Sequence, residues 1–358
     1  MNRRNLASVA ALAAASALVL SGCGQAPESD SGDAGGDNAD YCARMVTNSG
    51  GLEDRSFNQS SWEGLEQAQD EYGIDAQAIV SKTPSDLEPN VEQAVDTGCR
   101  LIVTVGWELA EYTQTAAADN PDRHFAIVDE QLEGENITSV VFNTAEAAFL
   151  AGYLAAGATQ SGTVGTFGGG NQPPVTLFMD GYVDGVAHYN EVHDADVTVI
   201  GWDKDAQDGQ FTGDFEDVNK GKATAESLIQ QGADVIMPVA GQVGEGAAAA
   251  AADAGDVSII WVDNDGYETL PEEYRPLILT SVLKKTQDAV TDIVKRDLDG
   301  ELDNTPFIGT LENGGVDIAP FHDMADAVSD DLAAEIDELR QQIIDGEVEV
   351  SSPSSPTA

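Results

Sequence analysis

Gly98-Cys-Arg-Leu-Ile-Val-Thr-Val-Gly106 followed by Phe125-Ala-Ile-Val-Asp129, set beside Gly232-Ala-Asp-Val-Ile-Met-Pro-Val-Ala-Gly241 followed by Ile259-Ile-Trp-Val-Asp263, decides the fold. Each block is a short apolar run bounded by Gly or Asp, the pattern of a strand buried on both faces. The offset from Gly98 to Asp129 and from Gly232 to Asp263 is 31 residues in both cases, so the chain repeats a unit. Around the first copy, strands are predicted over 44–47, 76–80, 101–105 and 125–128, with helices over 57–72, 85–97 and 110–118 between them. The rhythm restarts after Val140, with strands predicted over 163–167, 196–200, 235–238 and 258–262. Alternating β and α of this kind predicts an α/β protein of two doubly wound parallel-sheet lobes. In open parallel sheets ligands bind beyond the carboxyl ends of the strands, so two facing lobes make a cleft. Asp129 and Asp263 both end strands and would face that cleft from opposite sides. Each alone could be an ordinary turn residue; their matched places in the repeat favour the cleft.

The chain has 358 residues with 64 Asp or Glu against 16 Lys or Arg, a formal charge of −48. Affinity for nucleic acid comes from cations neutralising phosphates, so this balance argues against DNA, RNA and anionic lipid as partners. Such charge suits a salty medium that screens self-repulsion. The first 22 residues read as an export signal: Arg3 and Arg4 precede an apolar stretch from Leu6 to Leu20, too short to span a membrane. Leu20-Ser21-Gly22-Cys23 resembles a bacterial lipobox, with Cys23 lipidated; the Arg pair leaves Sec and twin-arginine export both open. Residues 23–40 read as a flexible tether and 349–358 as a Ser/Pro tail. Cys42 and Cys99 remain in the exported body, each at the start of a predicted strand. If those strands are neighbours, a disulfide between them is expected.

Between the first strand and the first helix runs Thr47-Asn48-Ser49-Gly50-Gly51-Leu52-Glu53-Asp54-Arg55-Ser56-Phe57-Asn58-Gln59. Ser56 is the expected N-cap. Glu53 and Asp54 would repel an anion at that helix start, whereas Phe57 offers a flat apolar face and Asn58 an amide that can both donate and accept. Together with Trp62-Glu-Gly64, Ala148-Phe-Leu-Ala-Gly152, Val262-Asp-Asn-Asp265 and Thr280-Ser-Val-Leu-Lys284, this segment resembles the basic membrane protein family, the nucleoside-binding lipoproteins of ABC-type uptake systems. The similarity covers about residues 41–348.

The resemblance implies a type I periplasmic-binding-protein fold with no catalysis: a monomer, lipid-anchored on the extracytoplasmic face of the cell membrane, that hands a nucleoside, purine in preference, to an ABC permease. It implies a first lobe of 41–142 plus 282–303 and a second of 143–281 plus 304–348, with crossings near Asn143, Ser281 and Thr305. By position, Phe57 would stack on the base, Asn58 and Asp129 would bond to its edge, Asp263 would take ribose hydroxyls, and Lys284 would bond to ribose or Asp263. Gly241 lies in the Gly-rich loop of the second lobe. The chain departs from the family pattern at Asn48, where many members have Asp, and at Ala248, where members have Phe. A second stacking face is therefore sought at Phe215, with Trp107 and Trp202 behind it; all three could instead be core or surface aromatics.

Other chemistry finds little support. The four His are scattered, with no zinc spacing, so no metal or cofactor is expected. Asp263-Asn-Asp-Gly266 resembles part of a calcium loop, but Trp261 stands where a further acid is needed. No Gly-x-Ser-x-Gly elbow and no Walker ending occur. The alternatives are a receptor for another small solute, such as a sugar or signal molecule, and a nucleoside hydrolase.

Overall fold

The computed structural model describes residues 38–357. The export signal, Cys23 and most of the tether lie outside the described residues. The first lobe contains β1 (Cys42–Val46), α1 (Phe57–Tyr72), β2 (Asp75–Ile79), α2 (Leu87–Asp96), β3 (Leu101–Val105), α3 (Ala110–Asp119), β4 (His124–Val128) and β5 (Ile137–Phe142). The chain then enters the second lobe through α4 (Thr144–Ala158), β6 (Thr163–Gly168), α5 (Pro173–His193) and β7 (Thr198–Ile200). A small hairpin, β8 (Trp202–Asp203) and β9 (Asp208–Gly209), leads to α6 (Val218–Gln230), β10 (Val235–Val239), α7 (Gly244–Ala254), β11 (Ser258–Asp263), α8 (Gly266–Thr269) and β12 (Ile278–Lys284). It returns for α9 (Thr286–Asp299) and β13 (Phe307–Gly309), then ends in the second lobe with β14 (Val316–Ile318) and α10 (Asp330–Ile344).

Each lobe holds one six-stranded sheet, ordered β2-β1-β3-β4-β5-β13 and β7-β6-β10-β11-β12-β14. Every pairing is parallel except β12 with β14. β3, from the stretch that decides the fold, is buried at all five positions, as a central strand covered by helices on both faces must be. In the second lobe, α4 presses so closely on α5 that a Cβ at Gly185 would lie 2.0 Å from the Phe149 carbonyl oxygen. A side chain there would drive the two helices apart. Cys42 and Cys99 form a disulfide with their Cα atoms 5.0 Å apart, across the neighbouring strands β1 and β3.

The crossings correct two boundaries. Asn143 is the first, its N–H donating to Gly309 at 2.8 Å. The second lies at Lys285 rather than near Ser281, because β12 runs unbroken to Lys284 on β11 and β14. The third lies beyond Gly309 rather than near Thr305, because β13 pairs with β5 and so belongs to the first sheet. These crossings lie side by side: Lys285 N–H donates to Gly315 at 2.9 Å, and a Cβ on Gly315 would fall 2.4 Å from the Cα of Gly309. The Ser/Pro tail also touches both lobes. Ser352 Oγ donates to Asp180 in α5 at 2.5 Å, and Thr357 N–H donates to Gln131 Oε1, beyond β4, at 3.1 Å.

Candidate functional site

The loop from β1 to α1 is built around one carboxylate. Asp54 is 5% exposed, and its two oxygens accept from the backbone N–H groups of Ser56, Gln59 and Asn58 at 3.1, 3.1 and 2.8 Å. Asp54 therefore satisfies the free N–H groups of the helix start, the role the sequence suggested for Ser56. The Ser56 hydroxyl instead donates to Asp263, across the cleft. Burial pushes the Asp54 carboxyl above the usual range, against the opposing pull of those N–H groups.

Asp54 also orients Asn58. The Asn58 Nδ2 donates to Asn48 Oδ1 at 2.7 Å and to Asp54 Oδ2 at 3.1 Å, which fixes the amide with its carbonyl the other way. Asn58 Oδ1 is buried with no hydrogen-bond partner among the described residues. The amide read from sequence as both donor and acceptor thus keeps only its acceptor for the cavity it lines. Nearby, Glu108 follows β3; its Oε2 is likewise buried and unpartnered, and burial raises its carboxyl, while its own backbone N–H and then the Asn48 amide draw it the other way.

At the charged end, the two aspartates of the repeat meet one ammonium. Lys284, at the end of β12, is 4% exposed; its Nζ lies 2.6 Å from Asp129 Oδ2 and 3.2 Å from Asp263 Oδ1. Burial opposes the lysine charge, but the two carboxylates outweigh it and hold the ammonium above the ordinary lysine range. Asp129 and Asp263 both take left-handed backbone, φ 63° and 68°, turning their side chains from the strand ends into the cleft. Lys284 Nζ also lies 4.5 Å from the centre of the Phe57 ring. Since Asp129 belongs to the first lobe and Lys284 to the second, this cluster draws the lobes together. Asn264 Nδ2 adds a bond to Ser56 O at 3.1 Å, and Arg55 donates to the Thr269 carbonyl at 2.8 Å.

Asn48, Phe57, Asn58, Trp107, Asp129, Phe215, Gly241, Asp263 and Lys284 all line one cavity of about 680 Å3, measured out to its mouth, between the lobes. Phe215 reaches it over bare backbone: a Cβ on Gly169 would come within 2.3 Å of the ring. Trp107 stands at the mouth, 40% exposed. Trp202 is not there. Its ring is buried in the second lobe, with Nε1 donating to Asp180 at 2.8 Å and the ring edge-on to Phe211. The sequence reading missed Glu108, Gln172, Val175 and Phe178, which also line the cavity. Glu108 and Gln172 follow the carboxyl ends of β3 and β6, where the rule for open sheets would have found them, while Val175 and Phe178 come from the first turns of α5. The calcium-like segment has other duties: Asp265 accepts from Tyr267 N–H at 3.0 Å, capping α8, and lies 2.7 Å from His322 Nε2. Among the described residues no cluster of three or more His, Cys, Asp or Glu is placed to hold a metal ion.

Residues 43–354 match the family described as ABC transporter substrate-binding protein PnrA-like. The ABC transporter nucleoside-binding protein BmpA of Lactococcus lactis subsp. cremoris is 32% identical, over 98% of this chain and 99% of its own. Basic membrane protein A of Borreliella burgdorferi is 29% identical, over 85% of this chain and 86% of its own. Among solved structures, an ABC transporter solute-binding protein from Aeropyrum pernix superposes with a TM-score of 0.77 at 26% identity, covering 87% of this chain and 94% of that one. The two lobes with their shared cleft are the type I periplasmic-binding-protein fold, and the chain belongs to the basic membrane protein family of ABC transporter substrate-binding proteins.

Proposed function

We propose that the protein is a lipid-anchored extracytoplasmic receptor that closes on a purine nucleoside and delivers it to a membrane permease. The observation that carries this reading is the single cavity shared by nine residues expected to bind a ligand, which come from both lobes. Its chemistry has two ends. The Asn48, Asn58 and Glu108 end suits the polar edge of a base, and Phe57 with Phe215 supplies aromatic faces for its plane. Asp129 and Asp263, held by Lys284, suit the vicinal hydroxyls of ribose, because each ionised oxygen keeps lone pairs beyond those the lysine takes. This assigns Asp129 to the sugar rather than to the base edge. The name of the Lactococcus relative supports the same ligand class.

Closure follows from differential contact: a ligand bridging both lobes stabilises the form in which Asp129 meets Lys284, and the permease reads that form. The anchor is Cys23, and the protein acts as a monomer and binds without catalysis. Thermal melts with nucleosides, free bases and sugars test the reading, because a ligand bound only by the folded state raises the melting temperature. A purine ribonucleoside should shift the melt at lower concentration than its 2′-deoxy analogue, by about tenfold if a charge-assisted bond to that hydroxyl is lost. A shift with sugars and none with any nucleoside would overturn the assignment. Free base accumulating during incubation with a nucleoside would favour the hydrolase.

A further inference from the structure

We infer that the amide end of the cavity reads N–H donors, so that the preferred ligand carries a guanine-type edge, and that Glu108 sets this preference. The inference rests on the nucleoside reading above and deepens it. Three residues lining the cavity carry a buried acceptor without a partner among the described residues, Asn58 Oδ1, Glu108 Oε2 and Gln172 Oε1, and the first two stand together beside Asn48. The Asn58 orientation follows from its partners, since turning the amide over would set its carbonyl against Asn48 Oδ1 and Asp54 Oδ2. Glu108 is held over the end of β3 by a local device. Gly106 has φ +107°, and a Cβ there would lie 2.9 Å from Glu108 Oε2 and 3.2 Å from Asn48 Nδ2. Only Gly lets the carboxylate fold back over the strand end beside Asn48.

A buried acceptor left unmatched costs its desolvation, so the favoured ligand is the one that brings donors to both atoms. The edge of guanine offers N1–H and the 2-amino group side by side, a pair that the two oxygens of a carboxylate can accept together. Hypoxanthine keeps N1–H and lacks the amino group. Adenine and cytosine each place a ring-nitrogen acceptor next to their amino group, and against an ionised carboxylate that acceptor is repelled.

Calorimetric titration of the purified protein with guanosine, inosine, adenosine and cytidine, for the wild type and for Glu108→Gln, tests this. Guanosine should bind tightest, with inosine weaker by roughly tenfold to a hundredfold, the worth of a hydrogen bond to a charged group, and adenosine weaker again. Glu108→Gln should bring guanosine and inosine to within about threefold, since the paired ionised acceptor is lost. Adenosine binding as tightly as guanosine to the wild type would overturn the inference, as a protonated Glu108 would produce that order. So would a guanosine preference unchanged in Glu108→Gln. In either case the nucleoside reading stands, because nucleosides still bind. Failure of all four to bind would remove both. The wild-type order decides even if the variant does not fold.

Discussion

Lys284 is a buried cation between two carboxylates, one from each lobe, and it makes the closed cleft electrostatically possible. Without it Asp129 and Asp263 would face each other across a dry gap. Lys284→Met should therefore destabilise the protein by about 3–5 kcal/mol, the usual cost of leaving buried charge unpaired, as a lower urea midpoint. A loss below about 1 kcal/mol would mean that the cluster is far better solvated than its 4% exposure indicates. Phe57 is a different case, because its ring is half-buried on the cleft wall rather than in a core. Phe57→Ala should leave the urea midpoint nearly unchanged while weakening nucleoside binding by about 1–3 kcal/mol, the worth of an aromatic stack on a base, read by titration. At this scale most of the nine cavity residues were legible from strand ends, the repeat and the family motifs, whereas Phe215 and Trp107 were reached only as candidate stacking faces beside Trp202, which lies elsewhere. The unpartnered acceptors were not. Which way Asn58 faces depends on Asp54 and Asn48, four and ten residues away, and a motif records the amide without its orientation.

The segment 53–56 joins the lobes by contacts separate from the three crossings. Arg55 donates to the Thr269 carbonyl at 2.8 Å and lies 3.5 Å from the Glu245 carboxylate, both in the second lobe. Exposed ion pairs add little to global stability, so Arg55→Ala should change the unfolding free energy by less than about 1 kcal/mol. Its effect should appear in closure: several-fold weaker ligand binding, and a larger unliganded radius by small-angle scattering. Equal affinity and equal radius would show that these contacts do not hold the lobes. Element bounds were readable where a helix or strand is strongly patterned; α1 and β3 span the residues that periodicity predicts. β13 was harder. Three residues of edge strand carry no periodicity, and only their hydrogen bonds to β5 reveal which lobe they join. The boundary at Lys285 was hidden for the opposite reason, since Thr280 to Lys284 is one continuous strand pattern and the crossing falls after it.

Over the whole molecule the formal charge is −48, and among the described residues it is carried almost wholly by the surface. Among the described residues only Asp54, Asp180, Asp263 and Asp297 are buried acids, and each has partners; Asp297, for one, accepts from Tyr41 OH at 2.6 Å. Burial also raises the carboxyls of Asp54, Glu108, Glu146 and Asp184 above their unfolded values. Between the unfolded carboxyl range near pH 4 and those raised values, the native state holds more protons than the unfolded chain. Stability should then rise as pH falls from about 7 toward about 5, with surface repulsion easing in the same direction, and the gain should end once the unfolded carboxyls also protonate. Added salt at neutral pH should raise the melting temperature by screening that repulsion. A melting temperature that falls steadily below pH 7 and ignores salt would contradict this account of the acidic surface. Capture of a nucleoside between the lobes is tested by calorimetric titration of the purified protein with purine nucleosides. One saturable site per chain that weakens at least about fivefold in Phe57→Ala is the predicted result, whereas no binding of any nucleoside by the folded wild type would contradict it.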